Sequence, residues 1–185
     1  MNNRLFTFSG GDSGLWRVTR FQTVAGDPLP TVDRLEVLAG DVPAHAAGGH
    51  WTLRGITSNE RYVNRDEKTG LVEKQPALGR ANASLAALIP IRKTPAWWAL
   101  TQDERRRIFE EQSNHIRIGM QFLPAIARRL HHCRDLGPDE PFDFLTWFEY
   151  SPADADAFEQ LVLQLRSSPE WKFVDREIDI RLERT

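Results

Sequence analysis

The stretch FDFLTWFEYSPADADAFEQLVLQLRSSPEWKFVDREIDIRLE, residues 142–183, decides the fold class of this 185-residue chain. Its beginning, FDFLTWFEY, is rich in aromatic and β-branched side chains, which predicts a β-strand. A helix is predicted next, because apolar residues recur there on one helical face. These residues are Phe158, Leu161, Val162 and Leu165. The stretch ends with an alternation of apolar and charged residues, which indicates a second strand with one buried face.

Two helical stretches are predicted upstream of this ending. Thr101 opens the sequence TQDE, in which a hydroxyl is followed three residues later by a carboxylate, as in a capping box. The helix that it begins is expected to run to about Ser113. A second helical stretch is expected over His115–His132, with Pro124 as a kink or break. The order helix, helix, strand, helix, strand predicts an α+β fold with an antiparallel sheet.

The first half of the chain is richer in glycine and predicts short strands joined by loops. Strands are expected over Leu5–Ser9, over Leu15–Phe21 and within HWTLRGITS, which starts at residue 50. The glycine-rich segment 40–50 is expected to be a loop, and a helix is expected near residues 67–78. Residues 81–92 fit either a strand or a helix, and Pro90 within them indicates an edge strand or a strand end.

Composition excludes several classes of protein. The formal charge is −2 and the pI about 6.2, which lacks the basic surface of a general nucleic-acid binder. A hydrophobic content of 41% excludes a disordered chain, and a single cysteine excludes a disulfide framework and a cysteine-based zinc cluster. No apolar run approaches the roughly 20 residues of a membrane helix or the ~7–15 of a secretory signal, so we expect a cytoplasmic protein without a membrane partner.

Several possible motifs indicate a structural role rather than a catalytic or ligand-binding one. The glycines of GGDSG, residues 10–14, indicate a turn, since no helix signature follows them as in a phosphate-binding loop. Cys133 is next to His131 and His132, but neighbouring residues at the end of a helix point apart, which disfavours a nucleophilic pair. The alternating carboxylates from Asp175 to Asp179 could ligate calcium, although the nearby arginines favour a face of salt bridges. There is no GxSxG nucleophile motif.

His115 differs from the other histidines in its surroundings. Apolar side chains follow it along the chain, and a pair of tryptophans, Trp97 and Trp98, precedes it. An imidazole in an aromatic and apolar cavity is what a haem iron uses, and one histidine suffices there, whereas zinc needs three or four protein ligands. An axial histidine also requires a carboxylate partner for its other ring nitrogen, which makes the histidine a stronger donor.

The set of motifs around His115 resembles the chlorite dismutase family of haem b proteins. The resemblance covers about residues 90–175 and joins TPAWWALTQDERRRIFEEQSNHIRIGMQFLPAIARRLHHCRDLG, the LTWFE strand and PEWKF. Weaker matches are SNERY at 58–62 and EKQPALGR at 73–80. The resemblance implies two ferredoxin-like halves whose sheets form a β-barrel with helices outside: an N-terminal half, 1–90, without a haem ligand and a haem-binding half, 91–185. It also implies a homodimer, as in the compact members of the family.

The resemblance also implies a role for each of several residues. His115 matches the proximal iron ligand, and Glu170 matches the carboxylate that accepts its hydrogen bond. Arg128 matches the distal arginine of the active enzymes, and Gln75 a residue that can hold this arginine. The other residues matched to the distal pocket are Thr146, Phe148 and Leu123. The residues matched to the region of the haem propionates are Asn59, Tyr62, Trp97 and Lys93.

The function implied by the resemblance is the conversion of chlorite to chloride and dioxygen, with O–O bond formation from a ferryl intermediate and a retained hypochlorite. Arg128 would hold the anionic fragment. The alternatives are a coproporphyrin-haem decarboxylase, a peroxidase of the dye-decolourising type, a non-catalytic haem carrier or sensor, and an ordinary α+β dimer without a cofactor.

The spacing of His115 and Arg128 is difficult to reconcile with one straight helix. On an unbroken helix, thirteen residues rotate by about 220° and rise by ~19.5 Å, so both can reach one iron only if the segment bends.

Overall fold

A computed structural model describes residues 4–42, 49–59 and 61–185 of the chain. Residues 43–48 of the predicted loop and residue 60 of the SNERY motif therefore lie outside the described residues. The eight strands are β1 (Leu5–Gly11), β2 (Trp16–Ala25), β3 (Arg34–Ala39), β4 (Gly49–Thr57), β5 (Leu85–Lys93), β6 (Ala127–His132), β7 (Phe144–Tyr150) and β8 (Val174–Arg184). The five α-helices are α1 (Arg65–Lys74), α2 (Pro95–Ala99), α3 (Gln102–Arg106), α4 (His115–Gln121) and α5 (Ala155–Arg166).

The strands form one closed antiparallel barrel in the order β1-β3-β2-β8-β5-β7-β6-β4. Within it, the first four strands follow the order β4-β1-β3-β2 and the last four the order β8-β5-β7-β6, so both halves have the same arrangement. This confirms the predicted α+β barrel of two similar halves. The predicted boundary at residue 90 falls inside β5, the first strand of the second half.

Two seams join the halves, and they differ in extent. The β2–β8 seam pairs residues along most of both strands, from Trp16↔Arg184 to Ala25↔Glu177. The β4–β6 seam consists of only two residue pairs, Ile56↔His132 and Thr57↔His131. The strand β6 is therefore held mainly by β7 on its other side, with which it pairs along its full length.

The alternation of side chains divides the second half into two cores. One set of residues, including Leu88, Leu145 and Ile180, fills the barrel interior together with Phe8 and Trp51 from the first half. The other set faces outward and packs against the apolar face of α5. This outer core contains Ala87, Ile89, Ile91, Phe144, Phe148, Phe158, Leu161, Val162 and Leu165. A space between the outer face of the sheet and the helices is therefore the natural place for a buried site.

Two sequence predictions for this region are wrong. The helix predicted over His115–His132 ends at Gln121, and Ala127–His132 is the strand β6. The chain turns between them at Pro124, which follows a cis peptide bond. Pro90 does not lie at a sheet edge, because β5 is paired on both sides. The pairing of β5 with β8 passes from Leu88↔Ile180 to Ile91↔Glu177, so the residue without an N–H lies where this ladder is interrupted.

Other predictions are confirmed or refined. The capping box of Thr101 and Glu104 is present, but α3 is short and continues as a π-helical segment, Arg107–Gln112. The run predicted over 81–92 as strand or helix contains the strand β5, which begins at Leu85, and no helix. The helix predicted near 67–78 is α1, and β3 was not predicted. Short 3₁₀ turns at Pro152–Asp154 and Pro169–Phe173 flank α5. None of the helices in the described ranges is long and apolar enough to cross a membrane.

Candidate functional site

A cavity lies between the outer face of the second half-sheet and the helices. Its apolar walls come from β5, β6, β7, α5 and the turn before β6. The aliphatic and phenylalanine residues of these walls are Ile89, Ile91, Ile126, Leu130, Phe144, Phe148, Leu161, Val162 and Leu165. The strands supply their outward side chains, which recur at every second position, and α5 supplies part of its amphipathic face.

Polar and aromatic side chains complete the lining of this cavity. Eight of the eleven site residues predicted from the sequence line it, namely Tyr62, Lys93, Trp97, His115, Arg128, Thr146, Phe148 and Glu170. The structure adds Arg61, Phe109, Trp171 and Glu177, among others. The bend at Pro124 removes the difficulty of spacing, since His115 projects from a helix and Arg128 from a strand that forms the facing wall.

The start of α4 fixes the backbone of His115. Asn114 adopts a left-handed conformation with φ 53°, which asparagine tolerates better than most residues, and this ends the preceding π-helical segment. The Glu110 carboxylate then accepts hydrogen bonds from the N–H of Ile116 at 2.6 Å and of Arg117 at 3.3 Å. These bonds satisfy free N–H groups at the start of the helix, so His115 sits on a capped first turn.

A buried triad orients the His115 ring. Its Nδ1 lies 2.7 Å from Oε2 of Glu170, whose other oxygen accepts a hydrogen bond of 2.6 Å from Nζ of Lys93. Lys93 and Glu170 are each only 3% exposed. The backbone N–H of Glu170 donates to Oγ of Ser113 at 2.8 Å, which ties the 3₁₀ turn to the residue that ends the π-helical segment.

The charge of Glu170 follows from these contacts. Burial opposes ionisation of the carboxyl, but the Lys93 ammonium and His115 outweigh burial and lower the pKa of Glu170 to about 2. Glu170 is therefore a carboxylate at neutral pH and can accept the proton of Nδ1–H. The lone pair of His115 then resides on Nε2, which is the arrangement of a histidine that ligates a metal.

Phe109 packs against a face of the His115 ring. The two rings stack with centroids 4.3 Å apart and an interplanar angle of 21°. Phe109 belongs to the π-helical segment, whose wider turn shifts the direction of the side chains that follow it. Sequence reasoning missed this residue, because the departure from regular helix has no pattern in the sequence.

Arg128 places an unpaired positive charge in the cavity. Its guanidinium lies beside Gly119, one helical turn after His115, where an added Cβ would come within 3.3 Å of Nη1. Among the described residues no carboxylate lies within ion-pair distance of Arg128. Burial lowers the pKa of Arg128 from its ordinary value, but a guanidinium stays charged near neutral pH. A small anion could therefore bind without displacing a protein carboxylate.

Gln75 and Asn59 support β6 and do not line the cavity. Nε2 of Gln75 donates to the backbone carbonyl of Arg128 at 2.5 Å, so it holds the arginine's main chain and not its guanidinium. Oδ1 of Asn59 accepts from the N–H of Leu130 at 2.8 Å. Leu123, which was predicted in the distal pocket, lies in the turn before β6 and is absent from the cavity wall, where Ile126 and Leu130 stand instead.

One edge of the cavity has hydrogen-bond donors without partners. Tyr62 Oη and Trp97 Nε1 are buried and unpartnered within the described ranges, and their rings meet edge to face at 6.2 Å. Arg61 lines the same cavity. Buried donors without partners are costly, so these atoms indicate an acceptor that the protein itself does not supply. Carboxylates of a porphyrin, with one imidazole for its iron and apolar walls for its ring, fit this donor set.

The other residues considered from the sequence have structural roles. His131 points into the barrel, where burial and the nearby Arg129 lower its pKa to about 3. Burial raises the pKa of the Cys133 thiol well above its ordinary value, so this cysteine is a poor nucleophile. Arg166 and Arg181 pair with the carboxylates of β8, and the described residues contain no group of three or more side chains that could hold a metal alone.

Comparison with known proteins gives consistent matches. A family model described as chlorite dismutase matches residues 38–183. A chlorite dismutase from Ideonella dechloratans is 32% identical over 124 residues, which are 66% of this chain and 41% of that protein, so the match spans less than half of the relative. A dimeric chlorite dismutase from Nitrobacter winogradskyi superposes with a TM-score of 0.89 at 51% identity, covering 97% of this chain and 99% of that one. A mutant chlorite dismutase from Candidatus Nitrospira defluvii, at 18% identity and a TM-score of 0.69, covers 100% of this chain and 93% of its own and shares the fold.

Proposed function

The chain belongs to the chlorite dismutase family, whose model covers residues 38–183, and we propose that it is a haem b enzyme that converts chlorite to chloride and dioxygen. The observation that carries the proposal is the unpaired Arg128 guanidinium, which shares one apolar cavity with a histidine bound to a buried carboxylate. The first provides a site for an anion and the second a ligand for iron. Both are needed for this reaction.

Haem would be held by residues from three parts of the chain. His115 Nε2 would ligate the iron, with Glu170 strengthening it as a donor through Nδ1. Tyr62 and Trp97 would bind the propionates, since Tyr62 Oη and Trp97 Nε1 are buried without a partner in the described residues. Arg61, which lines the same cavity and pairs with Asp135 at 3.3 Å, would add a positive charge there. When bound, haem supplies a redox-active iron that can accept one oxygen atom from chlorite.

Arg128 would bind chlorite and then retain the hypochlorite that remains. The overall conversion of ClO₂⁻ into Cl⁻ and O₂ requires both oxygens of one chlorite to combine, so the fragment must not escape. A positive charge in a low-dielectric pocket holds a small anion far better than the same charge in water. Leu130, Thr146 and Phe148 would exclude bulk water from this space.

The lining of the cavity disfavours the alternatives. A peroxidase uses a distal base to move the proton of peroxide. Besides His115, the carboxylates in the described cavity wall are Glu170 and Glu177, and both oxygens of each are already bound by protein side chains. The α5 residues of this wall, Leu161, Val162 and Leu165, are all apolar. A coproporphyrin-haem has four carboxylates and would need donors on further walls, whereas the two propionates of haem b need donors at only one edge.

We propose that the chain forms a homodimer, because the relative from Nitrobacter winogradskyi, at 51% identity over nearly its full length, is described as dimeric. Light scattering coupled to size exclusion measures the molar mass directly. The cytoplasmic location expected from the sequence stays a prediction.

The deciding experiment is oxygen evolution by the haem-reconstituted protein. With chlorite added, an oxygen electrode should record one O₂ per chlorite consumed. Arg128→Ala should bind haem but lose activity at least about tenfold, since it removes the charge that holds the anion. Arg107→Ala, which changes an exposed arginine of the π-helical segment, is the matched control. A wild-type protein that takes up haem and evolves no O₂ would contradict the proposal, and so would an Arg128→Ala variant with full activity.

A further inference from the structure

Glu177 is a buried carboxylate in the cavity wall that the proposed reaction does not use. It projects from the outer face of β8, is 1% exposed and lines the same cavity as Glu170. A buried carboxylate is costly unless its oxygens are hydrogen-bonded. Its partners therefore indicate what the residue stabilises.

Both oxygens of Glu177 are bound by side chains from two different elements. Oε2 accepts a hydrogen bond of 2.8 Å from Nε1 of Trp171, and Oε1 accepts one of 2.7 Å from Nε of Arg166. Arg166 also donates to Asp179 at 2.9 Å. The position of Glu177 is thus fixed from α5, and Glu177 in turn fixes the plane of the Trp171 indole.

Trp171 connects this carboxylate to the triad of His115. It directly follows Glu170 in the 3₁₀ turn Pro169–Phe173, so its backbone and that of Glu170 move together. Its ring lies 5.5 Å from Nζ of Lys93, and the ring of Trp97 lies 4.6 Å from the same atom. The two indoles stabilise the ammonium by cation–π interaction and confine the group that neutralises Glu170.

We infer that Glu177 is a positioning residue for the proximal histidine and acts through Trp171. It holds the indole, and the indole holds both the turn that carries Glu170 and the ammonium of Lys93. Without the Trp171–Glu177 hydrogen bond, the Glu170 carboxylate is less well aligned with Nδ1 of His115, and the imidazole becomes a weaker donor to iron. This inference rests on the proposed function, since it assumes that His115 ligates haem.

A purely structural role for Glu177 would be to attach α5 to β8 through Arg166. Asp179 performs the same attachment, because it binds Arg166 from the same strand and is fully buried. Its other close partner is Arg181, and among the described residues it shares no hydrogen bond with Trp171. Asp179→Asn therefore weakens the attachment of α5 and leaves the Trp171–Glu177 hydrogen bond intact. It is the matched control for Glu177→Gln.

The test compares four haem-loaded variants with the wild type: Glu177→Gln, Trp171→Phe, the double variant and Asp179→Asn. The readouts are the iron–histidine stretching band in resonance Raman spectra of the ferrous protein and the midpoint potential of the haem. An amide has one acceptor oxygen and cannot bind both Trp171 and Arg166 as the carboxylate does. Both single variants should lower the stretching frequency and shift the potential to more positive values, and the double variant should add little. Asp179→Asn should lower the melting temperature only.

The outcomes separate this inference from the proposed function. A wild-type protein that binds no haem, or whose haem spectrum is unaltered by His115→Ala, overturns the proposed function. A histidine-ligated wild type with unchanged spectra in Glu177→Gln and Trp171→Phe overturns the positioning role. An Asp179→Asn shift as large as that of Glu177→Gln also overturns it. If Glu177→Gln does not fold, unchanged spectra in Trp171→Phe still overturn the positioning role, because this variant keeps an aromatic ring and removes the N–H that donates to Glu177.

Discussion

Arg128 on β6 lies directly opposite Phe148 on β7, and both side chains face the cavity. Directly opposed residues in an antiparallel pair have their Cβ atoms about 4.5–5.5 Å apart, so position 148 determines what the guanidinium meets at its base. The chain places an uncharged ring there, which leaves the positive charge available to an anion.

A carboxylate in place of the Phe148 ring should prevent Arg128 from binding an anion. In Phe148→Glu the new side chain would pair with Arg128 across the strands, and the neutralised guanidinium would no longer attract chlorite. We expect chlorite turnover to fall at least about tenfold while haem uptake persists. Phe148→Leu, which changes the shape of the wall without adding charge, should lose much less. Equal losses in the two variants would show that the charge of Arg128 is not what matters.

Arg61 and Asn59 should differ in their effect on haem binding. The sequence predicted Asn59 near the propionates, but its side chain binds the backbone of β6, whereas Arg61 lines the cavity. We expect Arg61→Ala to weaken haem affinity about tenfold, as loss of a charge-assisted hydrogen bond does. Asn59→Ala should lower the melting temperature and leave the affinity unchanged. Titration of both haem-free variants with haemin, followed at the Soret band, measures the two affinities. A larger loss of affinity in Asn59→Ala than in Arg61→Ala would support the prediction that Asn59 lies near the propionates.

The ion pairing of Glu170 should make the free energy of unfolding depend on pH in the acid range. Its pKa is lowered from an ordinary value of 4.5 to about 2, so the folded state binds fewer protons than the unfolded state between these values. The stabilisation is complete above about pH 4.5 and is lost as the pH falls toward 2. The free energy of unfolding of the wild type should exceed that of Glu170→Gln by a constant amount near neutral pH. Urea titrations of the haem-free proteins should show the difference shrinking over this window, and a constant difference down to pH 2 would contradict the assignment.

His131 should produce a second acid-sensitive window at higher pH. Burial and Arg129 lower its pKa from 6.5 to about 3, so the neutral ring is favoured in the folded state. The stability that it contributes is complete above about pH 6.5 and is lost as the pH falls toward 3. His131→Gln can still accept the Arg129 hydrogen bond but cannot take up a proton. Its free energy of unfolding should therefore depend less on pH between 6.5 and 4.5 than that of the wild type. Parallel curves for the two proteins would exclude this role.

The sequence predicted the elements whose patterns match their surroundings. The strand at 144–150 and the helix at 155–166 show ordinary periodicity, because each has one face on an apolar core. The strand β6 was missed because its inward positions are polar. Arg129 lies over the ring of Phe6 at 3.6 Å and His131 packs edge-on against Phe8, so charged and polar side chains occupy positions where a strand normally shows apolar ones.

The site shows the same division. The resemblance supplied the residues that carry the chemistry, and the structure brings His115, Glu170, Lys93 and Arg128 to one cavity. The resemblance could not supply Phe109, because the direction of its side chain depends on a π-helical segment. It could not supply Glu177 either, because the alternation of carboxylates from Asp175 to Asp179 is also typical of an exposed, charged strand face. Leu123, which the resemblance matched to the distal pocket, lies in the turn before β6 and is not among the residues that line the cavity.

The short seam between β4 and β6 gives the two sides of the site different mobility. Only two residue pairs join these strands, and one further backbone hydrogen bond runs from the N–H of Ser58 to the carbonyl of Leu130. The other bonds to this edge of β6 come from side chains: Gln75 binds the carbonyl of Arg128, and Asn59 binds the N–H of Leu130. Side-chain bonds of this kind break one at a time, unlike a cooperative ladder, so amide exchange should be fastest along this edge of β6. The arginine that would hold the substrate can then fluctuate while the buried triad around His115 stays fixed.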